Sequence, residues 1–123
     1  MARLFRDDCR ILVVEDEYVL AYQLKKALEV EGVAVLGPVS SEADARAVIE
    51  GAGAINGVVL DLNLGDGISW ALADYLLDRG IPFLFATGYD EAVIPERFGH
   101  VDYTQKPVSA AFVAHALGCG SAA

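Results

Sequence analysis

The stretch ILVVEDE at residues 11–17 sets four consecutive apolar side chains directly before three acids. A short continuous apolar run is typical of a strand that is buried on both faces of a parallel sheet, whereas strict alternation indicates a half-exposed strand. Outward from this stretch, short apolar runs recur at residues 33–36, 58–60 and 83–86, with a weaker fifth run around residues 101–103. We therefore expect five buried strands.

The segments between these runs have the spacing of amphipathic helices. Ser41 followed by Asp44 resembles a capping box at a helix start. Residues 90–98 form a poorer helix, because Pro95 removes a backbone donor and restricts the residue before it. Alternating strands and helices predict an α/β fold, a doubly wound five-stranded parallel sheet with right-handed crossovers. The predicted apolar helix stripes lie at residues 20–28, 41–50, 73–77 and 108–117.

The composition is that of one globular domain with an acidic surface. The 123 residues are 54% hydrophobic and 22% charged. No apolar run approaches the ~18–20 residues that a membrane span requires, and the amino terminus lacks the apolar core of a signal peptide. Eighteen acids against nine bases give a net charge of −9, which disfavours direct binding to nucleic acid. We expect a cytoplasmic protein without membrane attachment.

The two cysteines, Cys9 and Cys119, are too few for a disulfide framework and lack the spacing of metal ligands. Helices in this fold run antiparallel to the strands, so both cysteines should lie at the sheet end remote from the strand carboxyl ends, where they could be near one another. A reducing cytoplasm and fraying chain ends argue against a redox role.

Polar residues follow the predicted strands, where sites form in open parallel sheets. Taken one at a time, a strand-end aspartate is usually a helix cap, and a lone threonine or lysine is usually solvated. Taken together, the residues that follow the predicted strands place three carboxylates at one edge of the sheet. Two like charges ~4 Å apart repel by roughly 4 kcal/mol at an effective dielectric constant near 20. Such a cluster indicates a divalent cation, Mg²⁺ for hard oxygen ligands, or a raised pKa on one acid. The residues are Glu15, Asp16, Asp61, Asn63, Thr87 and Lys106.

Four stretches resemble, in order and spacing, the CheY-like receiver domain of bacterial two-component response regulators. The resemblance covers residue 10 to about residue 117 and implies a flavodoxin-like sheet with strand order 2-1-3-4-5. It divides the chain into an N-terminal extension (residues 1–9), a receiver domain (10–118) and a C-terminal tail (119–123), with no output domain. The stretches are ILVVEDE, VVLDLN, FLFATGY and YTQKP, at residues 11–17, 58–63, 83–89 and 103–107.

The resemblance assigns the acids. Asp61 matches the aspartate that accepts a phosphoryl group from the phosphohistidine of a sensor histidine kinase. Glu15, Asp16 and Asp61, with the backbone carbonyl of Asn63, match the residues that hold Mg²⁺. Asp16 is the expected direct ligand, and Glu15 is expected to act more through a water molecule.

The resemblance also assigns the residues that stabilise and read the phosphoryl group. Lys106 and the Thr87 hydroxyl match the groups that contact phosphoryl oxygens, and Thr87 with Tyr103 matches the switch pair. Pro107 matches a proline that follows a cis peptide bond in the family, which the sequence leaves open. The implied protein is no enzyme beyond its own phosphorylation and dephosphorylation. Its implied partners are a histidine kinase or a histidine phosphotransfer protein, and the chain itself is a monomer or weak dimer.

The narrower "FAT GUY" group of alphaproteobacterial receivers is similar in two features. Residues 82–89, PFLFATGY, match its signature, and residues 62–67 lack the proline that usually lies four residues after the acceptor. That group also tends to have an irregular fourth helix, as Pro95 predicts independently.

Two alternative functions compete with this interpretation. A haloacid-dehalogenase-type Mg²⁺-dependent phosphatase also uses a nucleophilic aspartate, a threonine, a lysine and acids around the metal. Its second aspartate normally lies two residues after the nucleophile, where this chain has Asn63, and the chain is short for a cap domain. A flavin-binding module has a similar topology, but Glu15 and Asp16 would repel a flavin phosphate.

Overall fold

The structure is a computed structural model that describes residues 9–62, 70–88 and 94–119. The described residues contain five strands and four α-helices. The strands are β1 (Arg10–Val14), β2 (Ala34–Val39), β3 (Gly57–Asp61), β4 (Phe83–Thr87) and β5 (Tyr103–Gln105). The helices are α1 (Tyr18–Val30), α2 (Glu42–Ala52), α3 (Trp70–Asp78) and α4 (Ala110–Ala116).

The strands form one parallel sheet in the order β2-β1-β3-β4-β5, which confirms the predicted doubly wound α/β fold. β1 and β3 lie at the centre with Val13 opposite Val59, and β5 closes one edge with Tyr103 opposite Phe85. Asp61 and Thr87 end neighbouring strands, so their side chains belong to the same edge of the sheet.

The continuous apolar runs are explained by two cores, one on each face of the sheet. Side chains alternate between faces along a strand, so each run must be apolar throughout when both faces are covered. In β1, Ile11 and Val13 pack into the core with α1 and α4, whereas Leu12 and Val14 pack into the core with α2 and α3.

The predicted cap of α2 is confirmed, because Ser41 Oγ accepts a hydrogen bond from the backbone N–H of Asp44 at 3.1 Å. α4 has the same kind of start, with Ser109 Oγ accepting from the N–H of Phe112 at 3.2 Å. Each cap satisfies a backbone donor that the first helical turn leaves without a partner.

In the described part of the segment after β4, residue 88 and residues 94–102, a 3-10 turn, Glu96–Phe98, begins directly after Pro95. This agrees with the expectation of a poor fourth helix for its described part, residues 94–98. The fifth strand starts two residues later than predicted, because the N–H of Val101 donates to the carbonyl of Phe98 and Val101 therefore belongs to the turn. Asn63 and residues 89–93 lie outside the described residues.

Within the described ranges, no helix is both long and apolar enough to cross a membrane.

Candidate functional site

Four predicted site residues meet at the carboxyl edge of the sheet. Asp61 is the last residue of β3 and Thr87 the last of β4, and both are almost fully buried, at 2% and 1% exposure. Glu15 directly follows β1 and is also buried, and Lys106 directly follows β5. Buried polar groups need partners, so the contacts among these residues define the site.

Lys106 is the positive centre of the site. Its Nζ atom lies 3.0 Å from Asp61 Oδ2 and 2.9 Å from Glu15 Oε1. Burial acts to lower the pKa of the Lys106 ammonium, but the hydrogen bonds to Glu15 and Asp61 outweigh it and raise the pKa above its ordinary value. The backbone N–H of Lys106 donates to the Thr87 carbonyl at 2.9 Å, which fixes the residue against β4. Lys106 is therefore a fixed cation beside Asp61.

Glu15 also links Lys106 to the start of α1, a role that the sequence did not indicate. Its Oε2 atom accepts from the N–H of Glu17 at 3.0 Å, at the N-cap position of α1, and also from Lys106 Nζ at 3.1 Å. The carboxylate thus joins the start of α1 to the lysine after β5. The sequence placed both charges at this edge, but it carried no signal for which acid the lysine would contact.

The acids fit a divalent cation. Glu15, Asp16 and Asp61 each offer a carboxylate oxygen, and these atoms lie within 4.8 Å of one another. Oxygen-only donors suit Mg²⁺ or Ca²⁺. Asp16 is the exposed member, whereas Glu15 and Asp61 also contact Lys106, so Asp16 is the carboxylate most open to an ion from solution. The fourth predicted ligand, the carbonyl of Asn63, lies outside the described residues.

The predicted switch residues differ in exposure. Thr87 is buried in the site, whereas Tyr103, two residues before the position on β5 that pairs with Thr87, is 41% exposed. The peptide bond between Lys106 and Pro107 is cis, as the resemblance implies.

Comparisons with known proteins agree with this geometry. No family model matches the chain. SdrG from Sphingomonas melonis is 39% identical in a solution structure with a TM-score of 0.76, and the alignment covers 91% of this chain and 95% of SdrG. A crystal structure of a response regulator from Burkholderia pseudomallei contains a phosphorylated aspartic acid and a calcium ion. It is 27% identical with a TM-score of 0.75, over 89% of this chain and 66% of that one.

The chain belongs to the receiver domains of response regulators. The photosynthetic apparatus regulatory protein RegA of Cereibacter sphaeroides is 33% identical over 115 residues, which cover 89% of this chain and 61% of RegA. The receiver domain thus spans less than two thirds of the curated relative that it matches. The family is one of signalling regulators, and the haloacid-dehalogenase-type alternative is not supported. The calcium ion of the Burkholderia protein and the acidic cluster here together indicate a divalent-metal site.

Proposed function

We propose that Asp61 accepts a phosphoryl group from a phosphohistidine of a sensor histidine kinase or a histidine phosphotransfer protein. The observation that carries this proposal is the buried Asp61 carboxylate, which ends a central strand with the Lys106 ammonium 3.0 Å away and two further acids beside it. Asp61 is itself the last residue of central strand β3, whereas Glu15 follows β1 and already accepts a hydrogen bond from the N–H of Glu17 at the start of α1.

The chemistry required of the chain is modest, because phosphoryl transfer depends mainly on positioning and charge neutralisation. An oxygen of the Asp61 carboxylate forms a bond to phosphorus while the bond from phosphorus to the histidine nitrogen breaks, and the electron pair of that bond stays on the imidazole. Lys106 offsets negative charge on the transferring phosphoryl oxygens, and the Thr87 hydroxyl donates a hydrogen bond to one of them.

Mg²⁺ is the cation we assign to the acidic cluster, with Glu15, Asp16 and Asp61 as its protein ligands. The carbonyl of Asn63 completes this set by family resemblance. When bound, the ion supplies positive charge that offsets the repulsion between the acids and an incoming phosphate. Both carboxylate oxygens of Glu15 contact the Nζ atom of Lys106, and these contacts hold the lysine beside Asp61.

The phosphorylated domain acts, in this proposal, by binding another protein. A net charge of −9 disfavours DNA or RNA as a direct target, and we assign no membrane partner and no enzymatic activity toward other substrates. We place the domain at residues 10–118, in the cytoplasm, as a monomer or weak dimer. The FLFATG sequence along β4 and the 3-10 turn after it support membership in the FAT GUY group.

The decisive experiment is to incubate the protein with acetyl phosphate and Mg²⁺ and then to measure its intact mass by mass spectrometry. We expect one acid-stable, base-labile phosphoryl group on the wild type and none on Asp61→Asn, which keeps the shape but loses the nucleophile. Asp78→Asn, which changes an aspartate at the end of α3, is the matched control and should label like the wild type. Labelling of Asp61→Asn at the wild-type level would overturn the proposal, and continuous phosphate release with turnover would indicate a phosphatase.

A further inference from the structure

The two cysteines meet at the end of the sheet opposite to the phosphorylation site. Cys9 directly precedes β1 and Cys119 follows α4, and their Cα atoms are 5.7 Å apart, within the range that a disulfide spans. Both side chains are buried, at 0% and 2% exposure, and the two sulfur atoms are in disulfide contact. Proximity at this end agrees with the sequence-based expectation.

Backbone geometry holds each cysteine in place. The carbonyl of Cys9 accepts from the N–H of Ala34 at 2.9 Å, which fixes it to β2. On the other side, α4 ends in a Schellman motif: Gly118 adopts a left-handed φ of 76°, and its N–H donates to the carbonyl of His115 at 3.1 Å. The N–H of Cys119 donates to the carbonyl of Ala114, which turns the chain back toward the sheet.

We propose that Cys9 and Cys119 form a thiol–disulfide site that joins the two ends of the domain. With oxidised glutathione as the oxidant, one cysteine thiolate attacks a glutathione sulfur and releases one glutathione thiolate. The second cysteine thiolate then displaces the other glutathione from the mixed disulfide. The two thiols lose two protons and two electrons, and the glutathione disulfide is reduced to two glutathione molecules. The sequence argued against a redox role from a reducing cytoplasm and fraying chain ends, whereas the structure holds both cysteines buried and within bonding distance.

Entry of the oxidant requires a local opening, because both thiols are buried. Cys119 lies beyond the last turn of α4, and opening of that turn exposes it while Cys9 stays hydrogen-bonded to Ala34 of β2. Cys119 is therefore the expected attacking thiol.

The cross-link has two consequences. It encloses a sequence separation of 110 residues, so it removes much of the freedom of the unfolded chain and raises the melting temperature. It also fixes the carboxyl end of α4 to β1. The amino end of α4 is already held, because it follows Lys106 and Pro107 closely in the chain. The cross-link should therefore slow hydrogen exchange throughout α4.

The test compares the wild-type chain after equilibration with oxidised glutathione and after treatment with dithiothreitol. We expect no titratable thiols in the unfolded oxidised protein and two in the reduced protein. The oxidised form should melt about 5–15 °C higher, and α4 should exchange more slowly. In Cys9→Ala and Cys119→Ala the difference in melting temperature should vanish.

Two results would overturn the proposal. One is a wild-type monomer that keeps both thiols, or gains only bound glutathione, at equilibrium with the oxidant. The other is an oxidised chain whose melting temperature does not respond to reduction. Both are measured on the wild type, so the test holds even if an alanine variant fails to fold. Neither readout involves phosphorylation, so the outcome is independent of the function proposed for Asp61.

Discussion

The ammonium of Lys106 lies 3.0 Å from Oδ2 of Asp61, although Asp61 ends β3 and Lys106 follows β5, two strands that β4 separates. The lysine reaches across the end of β4, where its backbone N–H is bonded to the carbonyl of Thr87. The Lys106 ammonium thus places a cation beside the carboxylate that we propose as the phosphoryl acceptor. It offsets part of the repulsion among the three carboxylates, and this role can be measured apart from phosphorylation.

Replacing Lys106 with methionine should destabilise the metal-free protein and make its stability depend strongly on Mg²⁺. The variant leaves Glu15 and Asp61 buried without their shared cation, at a cost of about 1–3 kcal/mol in the free energy of unfolding. Mg²⁺ should then raise the melting temperature more in the variant than in the wild type, because the ion replaces the missing positive charge. Calorimetry with and without Mg²⁺ measures both effects.

Lys26→Met is the matched control for that experiment, because Lys26 is an exposed lysine on α1. It should change neither the stability nor its response to Mg²⁺ appreciably. An equal Mg²⁺ response in Lys106→Met and the wild type would show that the lysine and the ion do not neutralise the same charges.

Asp16→Asn should weaken Mg²⁺ binding more than Glu15→Gln does. Asp16 is exposed beside the buried acids, whereas both oxygens of Glu15 already contact Lys106, and one also accepts from Glu17. Titration calorimetry of the unphosphorylated protein gives the affinities directly. Asp44→Asn, an exposed acid at the start of α2, should bind Mg²⁺ like the wild type. A larger loss in Glu15→Gln would reverse the assignment of direct and indirect ligands.

Glu15→Gln should instead act on Lys106 and α1. The amide removes one of the two charges that hold the lysine, so the Lys106 ammonium should gain mobility, visible in its side-chain NMR signals. The family resemblance already distinguished Asp16, as the direct ligand, from Glu15, but nothing in the sequence indicated that Glu15 contacts Lys106.

The sequence predicted the sheet well because burial on both faces leaves a strong local signal. The runs around Val13, Val59 and Phe85 are apolar without interruption, and each became a central strand. The start of the edge strand β5 was predicted less accurately. Only one neighbour pairs with β5, and its start depends on the hydrogen bond from Val101 to the preceding 3-10 turn, which no local pattern encodes.

Contacts between distant side chains could not be predicted in the same way. The Tyr75 ring lies 4.3 Å from the guanidinium groups of both Arg46 and Arg79, and its hydroxyl donates to Glu50 at 3.1 Å. These residues come from α2 and from α3 and the turn after it, so their meeting depends on how the helices pack. The site residues were easier to identify, because each follows a strand and the topology brings strand ends together.

Phe98→Ala should cost about 3–5 kcal/mol in the free energy of unfolding. Phe98 is fully buried, and its ring centroid lies 5.7 Å from that of Trp70 and 5.6 Å from that of Phe85. Phe112→Ala, at a side chain that is 40% exposed, should cost much less. Denaturant titration followed by fluorescence of Trp70, the single tryptophan, measures both variants. Similar losses would mean that Phe98 does not anchor the 3-10 turn.

The stability that the ion pair between Arg97 and Asp74 contributes should depend on pH, because the Asp74 carboxyl titrates. The hydrogen bond from Arg97 holds the pKa of the Asp74 carboxyl below its ordinary value, so the pair contributes stability above an ordinary aspartate pKa of about 3.9. That contribution is lost as the pH falls through the lowered pKa of the folded state. NMR titration of Arg97→Gln should show the Asp74 pKa rising toward its ordinary value. Arg79→Gln should leave it unchanged, and high salt should weaken the wild-type shift.

Phosphorylation of Asp61 should reach a partner through Thr87 and Tyr103. Thr87 is buried at the end of β4 and Tyr103 is partly exposed on β5, so a Thr87 hydroxyl drawn toward the phosphoryl group would vacate space that the Tyr103 ring can fill. Thr87 directly precedes residues 88–98, whose described part, residue 88 and residues 94–98, holds one short 3-10 turn, and Tyr103 follows on β5. In residues 94–98, one short 3-10 turn is inexpensive to reorganise, since a bias of ~1.4 kcal/mol shifts a two-state equilibrium tenfold.

Beryllofluoride, a mimic of the phosphoryl group, tests this route without a kinase. We expect hydrogen exchange at residues 90–98 and in β5 to change when the mimic and Mg²⁺ are added, and Tyr103 to become less accessible. Tyr103→Phe should retain the change, because the ring remains, whereas Tyr103→Ala should reduce it. Asp61→Asn should show no change at all. If residues 90–98 exchange slowly and identically in both states while other segments respond, the signal leaves the site by another path.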